Sequence, residues 1–169
     1  MKIVISFYLF ICLLSCGNTE ENTNNIEQDS NLPSLSKEQI QKLNFTEYLA
    51  DSKVKVFTKN WVKYNELERV ISNLKQANIS YFKENHKILE SLINDLKKNV
   101  PEELNSPSVM SRLIALETKL YKLESVVNLS NTSSDAMISH IKEVLVSFSN
   151  LNLQMNKKLE RESQKIIKP

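Results

Sequence analysis

The chain has 169 residues and a mass of 19.5 kDa, the size of one domain or at most two. Its 22 Lys and Arg stand against 20 Asp and Glu, and a net charge of +2 is too small to imply nucleic acid or an acidic membrane as a partner. The single glycine, Gly17, excludes phosphate-cradling loops, dinucleotide fingerprints and nucleophile elbows, all of which need backbone that turns with positive φ and closely approaches a ligand.

The chain opens with Lys2 and a dozen apolar residues, Ile3 to Leu14. That run is shorter than the roughly 20 residues a helix needs to cross a bilayer, and it has the form of a secretory h-region. Leu13-Leu14-Ser15-Cys16 follows the pattern of an aliphatic residue, a tolerant position, a small residue and a cysteine. It resembles the lipobox of bacterial lipoproteins. The resemblance covers about a tenth of the chain. It implies removal of residues 1–15, a diacylglyceryl thioether on Cys16 and acylation of the new amino group, so that palmitate or similar chains anchor the protein. It further implies that Gly17, where an aspartate would signal inner-membrane retention, favours the outer membrane. Cys12 would leave with the signal peptide and Cys16 would be alkylated, which removes thiol catalysis, disulfides and cysteine-based zinc sites from consideration.

From Gly17 to Leu35 the chain carries four acids (Glu20, Glu21, Glu27, Asp29), no base and few large apolar side chains. Such a stretch cannot offset its own ordering entropy, so residues 16–35 are expected to be a lipidated cysteine and a disordered acidic tether. Nineteen flexible residues reach roughly 25 Å. With Lys2 and those four acids set aside, the remainder holds 21 basic and 16 acidic residues, a net of about +5.

Residues 36–169 read as an α-helical bundle. The body has no glycine, and its only prolines are Pro101, Pro107 and Pro169. Ser36 and Gln39 have the spacing of a capping box. Val54, Phe57, Trp61, Tyr64, Ile71, Leu74, Tyr81, Ile88 and Leu92 alternate at three and four residues, and Leu67, Val70, Phe82, Leu89, Ile93 and Leu96 widen that stripe beyond a two-stranded seam. One helix over 36–98 would exceed about 90 Å, so a break is expected at Asp51-Ser52 or at Asn78-Ile79-Ser80. Asn78 and Asn85 fall near stripe positions, where a buried polar residue can fix register.

Asn99 to Ser106 is a loop, and Ser106-Pro107 suits an N-cap followed by an N1 proline. Val109, Leu113, Leu116, Leu120, Leu123 and Val127 then mark a second helix. A polar turn at Ser130–Ser134 leads into a third, with Ile138, Ile141, Leu145, Phe148, Met155 and Leu159 inward. The short connections predict an all-α, antiparallel up-down bundle of three to four long helices.

Few side chains suggest chemistry. His86 with Glu90, and His140 with Glu143, lack the Glu-x-x-His order of di-metal bundles and read as solvated surface pairs; no metal or cofactor is expected. Lys55, Lys59 and Lys63 recur every four residues beside Trp61, which is either a solvated face over a buried tryptophan or a basic interaction face for anionic glycans, lipid headgroups or an acidic partner. The basic run Lys157, Lys158, Arg161, Lys165 and Lys168 suits a helix C-terminus. The sequons at Asn44, Asn78, Asn128 and Asn131 are chance products of an Asn-rich composition in a bacterial protein.

The expected function is therefore that of a non-enzymatic, lipid-anchored scaffold or interaction module of the cell envelope, bound to a protein partner or to itself through helix faces. The alternative is a bundle that holds a lipid or other apolar molecule in a cavity lined by Trp61, Tyr64, Tyr81, Phe82 or Phe148. The likeness to Braun-type envelope lipoproteins is one of architecture, a lipid anchor with long helices. Those proteins end in a lysine joined to peptidoglycan, whereas this chain ends Lys168-Pro169, so covalent wall attachment is not expected. The lipobox yields a direct prediction: Cys16→Ala abolishes incorporation of a fatty-acid probe and releases the protein from membranes. Persistent labelling would end the anchor reading.

Overall fold

The computed structural model describes residues 35–164, so Cys16, the signal peptide, the tether up to residue 34 and the terminal Lys165 and Lys168 lie outside the described residues. Among the described residues the fold is all-α, with six helices and two single 3-10 turns. They are α1 (Lys37–Gln41), α2 (Ser52–Thr58), α3 (Val62–Lys75), α4 (His86–Lys98), α5 (Pro107–Val127) and α6 (Ser134–Ser163), with the turns at Ser80–Phe82 and Glu102–Leu104.

Local chemistry sets the starts. Ser36 and Gln39 form the capping box in both directions, Ser36 Oγ accepting the Gln39 amide at 3.3 Å and Gln39 Oε1 accepting the Ser36 amide at 2.9 Å. Asp51 caps α2 through the Val54 amide at 2.8 Å, Ser106 caps α5 ahead of Pro107, and Ser133 caps α6. Helix α3 ends in a Schellman motif: the Ala77 and Asn78 amides reach back to the Leu74 and Asn73 carbonyls at 3.0 Å. Ala77 holds the position that usually takes glycine, at φ 61°, and Glu84 before α4 sits at φ 52°. In a body without glycine these left-handed turns fall on L-residues, at a cost of roughly 1–2 kcal/mol each.

Residues 36–98, expected as one helix or two, are divided into four. Both anticipated break points are breaks, and a third separates α2 from α3 at Lys59–Trp61. There the Trp61 amide bonds the Thr58 carbonyl at 3.0 Å, and the Asn65 side chain takes the Lys59 carbonyl at 3.1 Å. Each break resets the helical phase. Ile88, placed on the buried stripe by continuous counting, is 53% exposed, while Leu89 beside it is fully buried. Asn78 and Asn85 do not fix register from inside a helix: Asn78 is exposed and takes the Ser80 amide, and Asn85 stands at the N-terminus of α4. Leu35, assigned to the tether by composition, packs against the core.

The two long helices match their sequence pattern closely. Val109, Leu113, Leu116, Leu120, Leu123 and Val127 are all buried along α5, which packs antiparallel against α6 after the short turn. Helix α6, about 45 Å long, is the spine: α1, α2, α3, α5 and the 3-10 turn at Glu102–Leu104 all pack on it. Lys97–Glu117 at 2.7 Å and Lys119–Glu143 at 3.1 Å bridge α4 to α5 and α5 to α6 on the outside, each contributing about 0–1 kcal/mol.

Between α1 and α2 the chain runs extended, from Leu43 to Asp51, over α6. Among the described residues no strand lies beside this strap to satisfy its backbone. Three polar side chains of α6, spaced as successive turns of one face, partner five of its groups instead. Ser149 Oγ accepts the Tyr48 amide at 2.6 Å and donates to the Thr46 carbonyl at 3.0 Å. Asn152 Nδ2 donates to the Tyr48 carbonyl at 3.1 Å, and its Oδ1 accepts the Tyr64 hydroxyl at 2.7 Å. Asn156 pairs with both the Leu49 carbonyl, at 2.9 Å, and the Asp51 amide, at 3.0 Å.

Asn152 is 2% exposed, so its loss strands the buried Tyr64 hydroxyl and leaves the part-buried Tyr48 carbonyl without its partner. Urea denaturation of Asn152→Ala is expected to show a loss of about 2–4 kcal/mol, against about 1 kcal/mol for Asn156→Ala, whose bonds are exposed to water. Equal losses at the two positions would show that the ladder is not anchored at its buried rung.

Candidate functional site

The strap and the α2–α3 corner gather most of the body's unusual surface. Two clefts flank the strap. The larger, of about 340 Å³, lies over Ile40, Leu43, Phe45 and Leu145. The smaller, of about 180 Å³, is lined by Leu49, Ala50, Ile71 and Phe148 with Lys55 and Glu68 at its edge. Glu47 and Lys75, which form an ion pair between the strap and α3, border both.

The residues read from sequence as an interaction face are not one surface. Their four-residue spacing assumes a continuous helix, and the break after Thr58 cancels it. Lys55 on α2 and Lys59 at its C-cap are exposed. Trp61 is 2% exposed and turned inward, its ring stacked on Tyr64 at 5.3 Å. Lys63, on α3, is half-buried and paired with Glu66 at 2.9 Å. What stands beside Lys55 and Lys59 is aliphatic: Val56 is 67% and Val62 69% exposed, and Leu49 on the strap 65%.

Of the aromatic residues expected to line a ligand cavity, Trp61, Tyr64 and Phe82 lie in the core, Tyr81 packs at its edge, and Phe148 belongs to the core but reaches the smaller cleft. Tyr64 stacks between Trp61 and Phe148, the latter at 5.9 Å, and both Tyr64 and Phe82 are fully buried. Burial pushes the Tyr64 hydroxyl far above its usual range, with the Glu68 carboxylate adding to the effect. Tyr81 is partly buried, donates to Glu66 at 3.3 Å, and is pushed up to about 12 by burial and by that carboxylate.

His86 is the exposed surface group expected from sequence, its side chain 63% exposed, although its partner is not the one expected; His140 is not. His140 is half-buried, with Nδ1 3.6 Å from Glu143 and without a hydrogen-bond partner among the described residues. His86 Nδ1 lies 3.0 Å from both carboxylate oxygens of Glu124, a residue of α5 that is only 8% exposed. Glu90, its expected partner, acts on it only at longer range. Around this contact Asn128 closes the junction: its side-chain amide donates to the Phe82 and Glu124 carbonyls at 2.8 Å, and its oxygen accepts the Glu84 amide at 3.1 Å. The Tyr121 ring stands 5.8 Å from the imidazole. Among the described residues no group of three or more His, Cys, Asp or Glu is placed to hold a metal ion.

Sequence reasoning missed Ser149, Asn152, Asn156 and Glu124. The available signal was their helical phase, since each is a polar residue on an otherwise apolar inner face. Their partners come from segments 38 to 107 residues away and carry no local mark.

No family model, no curated protein and no solved structure matches this chain. Among the described residues no helix is long and apolar enough to cross a membrane.

The Glu124 carboxylate, first by hydrogen bond and then by charge, raises the His86 pKa above the ordinary histidine value, and Glu90 adds to it. A pKa raised on folding stabilises the fold at pH values below the unfolded-state value, and the contribution is lost as pH rises through the folded-state value. The effect of His86→Gln on stability should therefore be largest below the ordinary histidine value of about 6.5 and shrink as pH rises above it, with an NMR titration midpoint for His86 above that of a free histidine. A midpoint at or below the free value would remove the ion pair from the account.

Proposed function

We propose that this chain is a lipid-anchored protein of the bacterial cell envelope, attached through Cys16 to the outer membrane, and that its helical body is a non-catalytic scaffold or interaction module. The anchor rests on the order of Lys2, the apolar run and Leu13-Leu14-Ser15-Cys16.

The observation that carries the module reading is the Trp61–Tyr64–Phe148 stack. Side chains that would have lined a chamber for an apolar ligand are in contact with each other, which leaves the outside of the body as the surface on which recognition acts. That outside carries single large aliphatic residues on several elements, Val56 on α2, Ile88 on α4 and Ile114 on α5, each more than half exposed. A second reading, capture of a small apolar ligand, is supported by the cleft of about 340 Å³ over Ile40, Leu43, Phe45 and Leu145.

Photo-crosslinking in intact cells separates the two, with a crosslinker in place of Ile88 or Ile114 in the lipidated chain and mass spectrometry of the products. A reproducible crosslink to one other envelope protein is the expected result for an adaptor, and self-crosslinks alone would assign a homo-oligomeric structural role. Absence of any protein crosslink from either position would overturn the module reading in favour of the ligand-binding cleft.

A further inference from the structure

Helix α2 is seven residues long, yet its two sides differ sharply. Val54 and Thr58 are buried against the body. Turned away from these two, at the i, i+3, i+4 and i+7 positions of a face that continues to the C-cap, stand Ser52, Lys55, Val56 and Lys59, all exposed. Neither Lys55 nor Lys59 has a carboxylate within 4 Å among the described residues. Nearby acids are engaged: Asp51 caps α2, Glu66 pairs with Lys63, and Glu160 pairs with Lys157 while facing Lys53. Glu68 shares the small cleft with Lys55 but lies beyond ion-pair distance. Leu49 borders the same cleft, and Val62 follows at the corner, each about two-thirds exposed.

We propose that this face of α2, centred on Val56 between Lys55 and Lys59 and flanked by Leu49 and Val62, docks the body on an anionic phospholipid surface. The proposal rests on the lipid-anchor reading, which fixes what lies within reach. Eighteen residues separate Cys16 from Leu35, a contour of at most about 65 Å, longer than the roughly 45 Å of α6, so length alone allows any face of the body to meet the membrane.

The chemistry favours lipid over an acidic protein. The charged residues of this face are lysines, compact charges on flexible stems that suit a fluid layer of headgroups. The buried centres of protein interfaces are enriched in arginine and aromatic residues and depleted in lysine. Exposed aliphatic side chains interleaved with lysines can instead enter the boundary between headgroups and acyl chains while the ammonium groups stay among the phosphates.

The test uses the acylated full-length chain carrying Val56→Cys, or Ile114→Cys on α5 as a comparison, each labelled with bimane and reconstituted in phosphatidylcholine vesicles with or without phosphatidylglycerol. A phospholipid with a nitroxide headgroup serves as quencher. Quenching at position 56 is expected only when phosphatidylglycerol is present, to be relieved by high salt, and to be absent at position 114. Lys55→Gln with Lys59→Gln is expected to lower the ratio of docked to undocked body on the order of 30-fold. Equal quenching at the two positions, no quenching at position 56 with phosphatidylglycerol, or no effect of the double substitution would each overturn the proposal; the second would leave the lysines to an acidic protein.

Failure of the anchor reading shows separately, as a chain that does not float with neutral vesicles or that takes up bimane without an introduced cysteine. Flotation with anionic vesicles that depends on Lys55 and Lys59 would then still support the docking face, and its absence would overturn it.

Discussion

An extended segment inside an all-helical protein poses one physical problem, which is where its backbone N–H and C=O groups find partners. Here Ser149, Asn152 and Asn156 of α6 partner five of them, from the Thr46 carbonyl to the Asp51 amide, turning one face of the longest helix into a seat for the strap. The rest of the body is arranged around that seat. The strap carries Asp51, which starts α2. Tyr64 of α3 shares Asn152 with the strap and stacks on Trp61 and Phe148, so the polar ladder and the aromatic core meet at one buried amide. Both clefts lie along the strap, bordered by its ion pair with Lys75.

A body without glycine has few ways to turn, and the structure shows which it uses. Ala77 and Glu84 adopt left-handed conformations on either side of the 3-10 turn at Ser80–Phe82, and the junction they frame is held by Asn128 and by the contact of His86 with Glu124. These groups satisfy the carbonyls and amides that the broken helix exposes. The same breaks give the surface its character. By ending α2 at Thr58, the chain brings Trp61 into the core and leaves Lys55, Val56 and Lys59 on a short face directed away from it.

Along α5 and α6 the inward residues were legible in the sequence, because continuous helices carry their phase unbroken. All six named positions of α5 are buried, as are Ile141, Leu145, Phe148 and Met155 of α6. In residues 36–98 most apolar positions were identified, but the number of helices was not. The failure at Ile88 shows why: a count carried across a break points one residue to the wrong side. Of the candidate interaction face, Lys55 and Lys59 hold the exposed positions their spacing gave, while Trp61 and Lys63 belong to other environments.

The sequence by itself determined the helical class, the capping residues Ser36, Asp51 and Ser106, the loop through Pro101 and the inner faces of the long helices. Each depends on chemistry within a turn or two of the residue concerned, which one chain of letters records. The tertiary structure decided that residues 43–51 would be extended, that Asn152 rather than Asn78 would be the buried polar residue, that His86 would meet Glu124, and that valines and lysines would share the outer face of α2. Those outcomes depend on groups that are distant in sequence and adjacent only after α6 has packed. No local preference encodes them, because the partner that makes each conformation favourable is supplied by another part of the fold.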